Sequence, residues 1–276
     1  MMHDERARRP AVAGQFYPSD PEELRETVER HLESAGVTPA PEQVAAVIAP
    51  HAGYIFSGPT AGFAFARVRG KRPKRVVLLG CSHRHVIDTA SVYPDGVFET
   101  PLGDFPIDRA FAQEFVATAG AHASTEPHLH EHALEVELPF ISVAIGQVPI
   151  VPILFGGRPG AWHAKAGEAL AGLVDDDDLV VASTDLSHYL TEDEANALDR
   201  HSLDTVLGQD WRKFADSIVS GACSTCGATA VAAAMTYALA RNASDWRLLN
   251  YSTSARTSGD YDRVVGYAAI SMERPA

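Results

Sequence analysis

The sequence predicts an α/β protein, a three-layer α/β/α sandwich around a central mixed sheet. Three observations carry that expectation. Short apolar runs alternate with helical stretches along most of the chain. The run from 75 to 80 is almost continuously apolar, as in a strand buried on both faces. Two helical stretches are rich in small residues: 59–68 carries Ala61, Gly62, Ala64 and Ala66 on one face and so can lie close on a sheet, and 228–240 consists almost wholly of small residues and so should be buried.

The elements follow in order. Ala13-Gly14-Gln15-Phe16-Tyr17-Pro18 reads as an aromatic turn. Asp20 is an N-cap, Pro21 a first helical residue and Glu22 and Glu23 first-turn acids of a helix that passes through His31-Leu32 and stops at Gly36. A strand over 44–49 ends at Pro50, which has no amide to give to a ladder. Gly53 and Gly58 then bracket a turn, and Pro59 opens the helix over 59–68. Strands are expected at 75–80 and 89–93, a loop or hairpin at 98–106, and a helix over 108–119 stopped by Gly120. The stretch 128–140 fits two patterns: its residues alternate as in a strand, yet Leu134, Leu138 and Ile141 share a helical face, and Pro139 disturbs both. A strand over 147–155 closes with Gly156-Gly157. After it come a helix at 161–173, a strand at 178–183, helices at 193–206, 211–219 and 228–240, and strands at 245–250 and 263–272.

The 276 residues, 46% of them hydrophobic, suffice for one large core or two modest ones. No linker, repeat or low-complexity stretch marks a boundary, so one domain over 1–276 is expected, with residues 1–10 flexible. The net charge is −13, and the basic residues do not gather into a stripe, which argues against nucleic acid as a partner. No run approaches the roughly 20 apolar residues of a membrane span, and the first ten residues lack the apolar core of a signal peptide. The cytoplasm is the expected location. Three cysteines without a paired spacing pattern disfavour a disulfide framework and leave thiols for metal or redox roles.

The chemistry gathers where strands end. His51, His83 and His188 each follow a strand, and in an open α/β sheet sites are built at that edge. A single histidine there is more often structural, but two on analogous strand ends can face one crevice, and neutral imidazole is the commonest ligand for zinc, copper and iron. Cys226 stands just before the helix at 228–240, where a thiol should ionise more easily; the alternative is a small buried hydrophobe. Cys223-Ser224-Thr225-Cys226 also spells Cys-x-x-Cys, although no thioredoxin-like strand ends just before it. Cys81, beside His83, either lies near the site or only packs. Asp185 and His188 form either an acid–base pair, with the carboxylate orienting the imidazole, or an N-cap and a surface histidine. His132 with Glu135 is a weaker pair, because the local run of histidines and glutamates also reads as a solvated face. The hydroxyl-rich 252–261 reads as a loop over the cleft, with Arg256 available to an anion, or as an ordinary polar loop. There is no phosphate-binding glycine loop and no G-x-S-x-G elbow.

Several stretches together resemble the Memo family (mediator of receptor-driven cell motility), whose prokaryotic members are also called AmmeMemoRadiSam system protein B. They are Ala13-Gly14-Gln15-Phe16-Tyr17-Pro18, the run from Pro50-His51-Ala52-Gly53-Tyr54 to Gly58, Ser82-His83, Glu131-His132-Ala133-Leu134-Glu135, Ser183-Thr184-Asp185-Leu186-Ser187-His188-Tyr189, Thr225-Cys226-Gly227 and Tyr251-Ser252-Thr253-Ser254. They span nearly the whole chain in the family's order. That family in turn resembles class III extradiol dioxygenases, which are non-haem iron(II) enzymes with an α/β sandwich. The resemblance implies that His51 and His83 are metal ligands, that His188 is the acid–base histidine, and that Cys226 stands where the dioxygenases supply a carboxylate. A thiolate is softer and favours copper(I), zinc or iron–thiolate chemistry over ring cleavage at a carboxylate-bearing triad. Family members are described as binding copper or iron, as linked to redox and motility signalling, and as candidates for peptide binding.

The expectation is therefore one iron or copper ion, with zinc as the alternative, held by His51, His83 and Cys226. Around it His188, Asp185 and His132 would serve a metal-dependent oxidoreductase acting on a small molecule or peptide. Two other readings stay open: a non-catalytic module that binds a metal or peptide in the same pocket, and a zinc hydrolase with His188 or Asp185 as base.

Overall fold

The apolar runs ending near residues 49, 81, 155 and 183 have no polar alternate face, so they are stable only between two covering layers. The computed structural model, which describes residues 7–275, places them there, every residue buried. Among the described residues the order is β1 (Ala7–Arg8), α1 (Pro21–Ser34), β2 (Val44–Ala49), α2 (Tyr54–Arg67), β3 (Val76–Cys81), β4 (Ala90–Val92), β5 (Val97–Phe98), β6 (Phe105–Pro106), α3 (Arg109–Ala119) and β7 (His122–Ala123). Then come α4 (Leu138–Ala144), β8 (Ile150–Phe155), α5 (Ala161–Leu173), β9 (Leu179–Ser183), β10 (His188–Leu190), α6 (Glu192–Leu207), α7 (Trp211–Ser220), α8 (Ala228–Ala240), β11 (Asp245–Thr253), α9 (Ala255–Ser258) and β12 (Val264–Glu273).

The main sheet runs β10-β12-β2-β9-β3-β8-β4-β7, with β11 paired on β12. The four central strands β2, β9, β3 and β8 are parallel; β12 is antiparallel to β2, and β4 to β8. The sheet is thus mixed. Alternate residues of each strand feed two cores: Val77 and Leu79 pack with α5 and α8, whereas Val76 and Leu78 pack with α1, α2 and α4. This is the three-layer α/β/α sandwich. α8 is buried from Ala228 to Ala238, as expected, and its small residues let α5 come close: a Cβ at Gly167 of α5 would lie 2.2 Å from the Ala233 carbonyl oxygen.

The topology also decides what meets at the sheet's edge. β9 is inserted between β2 and β3, with Ala49 opposite Ser183 and Leu79 opposite Ala182. The ends of these three strands are therefore neighbours, and so are the residues that follow them.

Three expectations need correction. Pro59 does not open α2, which starts at Tyr54 and carries Pro59 inside it. The buried Tyr54 fixes the earlier start, with its amide on the Phe16 carbonyl at 2.7 Å and its hydroxyl on the Val136 carbonyl at 2.7 Å. The stretch 128–140 is neither one strand nor one helix; a 3-10 turn, Glu126–His128, ends at its first residue, a second, Glu135–Glu137, lies within it, and its last three residues open α4. Flexibility of residues 1–10 fails for Ala7–Pro10, because β1 pairs with β5 and Arg8 is only 1% exposed; residues 1–6 lie outside the described ones. Among the described residues no helix is long and apolar enough to cross a membrane.

Candidate metal centre

Pro50 ends β2, and His51 follows it into the crevice, almost fully buried. Its amide donates to Asp185 Oδ1 at 2.9 Å, its Nδ1 lies 2.8 Å from Ser183 Oγ, and its Nε2 lies 3.3 Å from Cys226 Sγ. Ser183 Oγ is also 2.6 Å from the Ala133 carbonyl oxygen and 2.7 Å from Glu137 Oε1. A hydroxyl has one proton and two lone pairs. The Ala133 carbonyl can only accept, so it takes the serine's proton. His51 Nδ1–H and a protonated Glu137 can then donate to the two lone pairs. Burial pushes Glu137 up to about 8, which supplies that proton. With one proton on Nδ1, it is Nε2 of His51 that faces Cys226.

Burial is the largest influence on His51 and pushes it down, but Cys226 and Asp185 outweigh it and bring the imidazole up to about 10. Cys226 is held well below the ordinary thiol range, first by the adjacent Cys81 thiol, against the cost of burial, and then by His51; the Asp185 amide also donates to its sulfur at 3.3 Å. Cys81 is pushed up in turn, by Cys226 and by burial. Groups that stabilise a proton between imidazole and thiolate offer the same lone pairs to a metal ion, with release of the proton.

His83 reaches the crevice two residues beyond β3. Its amide donates to Glu131 Oε2 at 2.6 Å, its Nδ1 donates to Glu131 Oε1 at 2.9 Å, and its Nε2 lies 3.6 Å from Cys81 Sγ. Burial would raise Glu131, but the His83 ring and amide hold it down to about 2. His83 is pushed up to about 9, since Cys226 and Glu131 outweigh its burial. His132 stacks on His83 with ring centroids 4.6 Å apart, lies 5.4 Å from the His51 ring and is covered by Phe16 at 4.9 Å. Burial and then the neighbouring His51 push it down to about 4.

The donor atoms of His51, Cys81, His83 and Cys226 all lie within 4.8 Å of one another. Cys81 and Cys226 also line an open cleft of about 380 Å³.

The chain matches, over residues 8–271, the model of the family described as Memo-like protein. It belongs to the Memo family. A MEMO1 family protein of Methanopyrus kandleri is 37% identical over 280 residues, which cover 97% of this chain and 99% of that protein. MEMO1 family proteins of Desulfurococcus amylolyticus, at 37% identity with 96% and 98% coverage, and of Thermotoga maritima, at 35% with 96% and 99%, match along the same length. The crystal structure of an uncharacterized protein from Escherichia coli K12 shares the fold, with a TM-score of 0.51 at 17% identity over 81% of this chain and 99% of that one.

In this Memo-family chain the fold brings together His51, His83 and Cys226, with His132 stacked beside them. Asp185 is at the same place, but its carboxylate holds the His51 amide and not the His188 ring. Nδ1 of His188 donates instead to the Leu186 carbonyl at 2.9 Å. The orienting role is thus taken by the backbone, because His188 lies on β10 just before Tyr189, which has a φ of 62°. Asp185 is no helix N-cap either, since Thr191 caps α6.

His132 does not pair with Glu135. Its ring is 3.3 Å from Glu131, whereas the fully buried Glu135 pairs with Arg8 at 2.7 Å and accepts from the Tyr17 hydroxyl at 2.6 Å. Glu131, Glu135 and Glu137 are all buried, so the solvated-face reading fails. The Cys-x-x-Cys thiols diverge, with Cys223 buried and directed to Thr205 Oγ1 at 3.7 Å. Arg256 is exposed on α9.

Sequence reasoning left Cys81 undecided and missed Glu131, Ser183 and Glu137. For Cys81 a signal existed: residues two apart on extended chain point the same way, and Cys81 and His83 are so spaced. Glu131 had only its place in the family-like stretch 131–135, with nothing local to tie it to His83, which it reaches through the folding of a distant loop.

Proposed function

We propose that this Memo-family protein is a metal-dependent oxidoreductase whose centre, one iron or copper ion, is held by His51, His83 and Cys226. One observation carries the reading: both histidines have Nδ1 engaged from behind, by Ser183 and by Glu131, and both turn Nε2 toward cysteine sulfurs. Ring orientation fixed by an outer hydrogen bond is how ligating histidines are ordinarily set. The residues fit such an ion, since imidazole suits iron, copper and zinc and thiolate adds affinity for the softer ones. The ion would supply the one-electron or oxygen chemistry that side chains lack.

The chain's own residues do the rest. His188, with Nδ1 committed to the Leu186 carbonyl, keeps Nε2 for moving a proton. Asp185 fixes the backbone of His51 and borders Cys226. His132, pushed toward its neutral form, closes the crevice beside His83. The small molecule or peptide acted on would enter by the cleft that Cys81 and Cys226 line.

The test is metal content by mass spectrometry of the protein purified without oxygen, beside its His51→Ala variant, followed by oxygen uptake. About one iron or copper per chain is expected, lost in the variant, with uptake that depends on it. Zinc in its place, with ester or amide hydrolysis, would move the reading to a hydrolase. Metal without turnover would leave a binding module, and equal metal in the variant would remove His51 from the centre.

A further inference from the structure

We infer that Cys81 is a fourth protein ligand, so that the centre is a closed set of two imidazoles and two thiolates. The inference rests on the metal reading above and changes what that site can take. Three ligands leave open corners, whereas four protein donors complete a tetrahedron.

Two edges of the donor set have the length that a tetrahedral ion requires. With metal–sulfur bonds near 2.3 Å and metal–nitrogen bonds near 2.05 Å, a nitrogen and a sulfur on one tetrahedral ion are roughly 3.6 Å apart. Two such edges are present: His51 Nε2 to Cys226 Sγ at 3.3 Å, and His83 Nε2 to Cys81 Sγ at 3.6 Å. Each edge pairs one imidazole with one thiol, and the two edges come from different parts of the fold. β2 and the turn before α8 supply the first, and the end of β3 supplies both members of the second. All four donor atoms lie within 4.8 Å of one another, so a small displacement brings every one onto a common ion. Cys81 is 7% exposed, its sulfur lies 3.6 Å from His83 Nε2, and the Cys226 sulfur and His51 are within 4.8 Å of it. No hydrophobic role alone requires its sulfur to face two histidines and a second cysteine.

The chemical consequence is selectivity. Two thiolates and two imidazoles suit copper(I) or zinc(II), thiophilic ions content with four protein donors, and disfavour an iron(II) that keeps open positions for oxygen.

The experiment is cobalt(II) loading of the wild type and of Cys81→Ser, Cys226→Ser and Cys223→Ser without oxygen, reading sulfur-to-metal absorption, cobalt per chain and affinity by chelator competition. The Cys81→Ser protein should lose about half of that absorption and bind at least about 10-fold more weakly, since losing a ligand should cost no less than losing an outer support. Cys223→Ser should match the wild type. Full absorption in Cys81→Ser, with none in Cys226→Ser, would mean a single thiolate ligand; the fourth-ligand inference would fall and the three-residue site would stand. Cobalt bound by none of the proteins would overturn the metal reading itself. Circular dichroism melts of the unloaded variants separate a lost ligand from a lost fold.

Discussion

His51 and His83 turn the same ring nitrogen toward the same place, but the carboxyl groups behind them are in opposite states. Behind His83 stands Glu131, held down to about 2. It accepts from the His83 ring and from the amides of His83, His132 and Ala133, at 2.6 to 2.9 Å. Behind His51 stands Ser183, and behind that Glu137, pushed up to about 8. Its Oε2 has no hydrogen-bond partner among the described residues. Burial raises both acids, Glu131 being 2% exposed and Glu137 0%, so burial alone does not set the contrast. The number of N–H groups aimed at each carboxyl does. One imidazole is therefore backed by a charge and the other by a neutral chain of hydrogen bonds.

The strongest way to break this comparison is Glu131→Gln. The amide group of glutamine would place donors against donors, so about 2 kcal/mol of stability should be lost, read in urea unfolding. Metal affinity should fall roughly 10- to 100-fold with the loss of the group that orients His83. If both quantities stayed at wild-type values, the carboxylate would have no supporting role.

A smaller effect separates the two acids by pH. Glu137 is raised in the folded protein, so between the ordinary carboxylate range and about 8 the unfolded chain has given up a proton that the fold still holds. Its contribution is complete below that window and declines as pH rises through it. Glu131 has the opposite sign: its contribution is complete above the ordinary carboxylate range and declines as pH falls toward 2. In unloaded protein, Glu137→Gln should therefore flatten the fall in urea midpoint from about pH 5 to about pH 8 and leave the acid side unchanged. An unaltered alkaline slope would show that Glu137 is ionised in the fold.

The same contrast marks how far the sequence could be read. α5 and α8 have the expected bounds, and β2, β3, β8 and β9 come within a few residues, because period and breakers are local signals. His51, His83 and Cys226 were named from strand ends and family likeness. Two misreadings, a flexible start and a solvated 128–137 stretch, are one error seen twice. Arg8 lost its expected freedom to Glu135, and Glu135 lost its expected solvent to Arg8. A buried ion pair between remote segments leaves no periodic trace, and each half by itself looks like surface. Glu131 and Glu137 were hidden likewise, since their roles come from strand ends delivered by other parts of the chain.

The smallest expected effect concerns the two cysteines that sequence spacing places side by side. Cys226 faces His51 and Cys81, whereas Cys223 faces Thr205 across the packing of α6 and α7. The intervening Ser224 and Thr225 turn the chain, with the Ser224 amide on Ser202 Oγ at 3.2 Å and the Thr225 hydroxyl on the Asp185 carbonyl at 2.7 Å. These bonds draw the two thiols toward different layers of hydrogen bonding. Cys223→Ser should thus cost only about 1 kcal/mol for a more polar atom at a buried position, and leave metal content and thiolate absorption unchanged. Loss of metal in that variant would mean that the Cys-x-x-Cys spacing acts as a pair after all, and that the divergence of its sulfurs is not kept when an ion is bound.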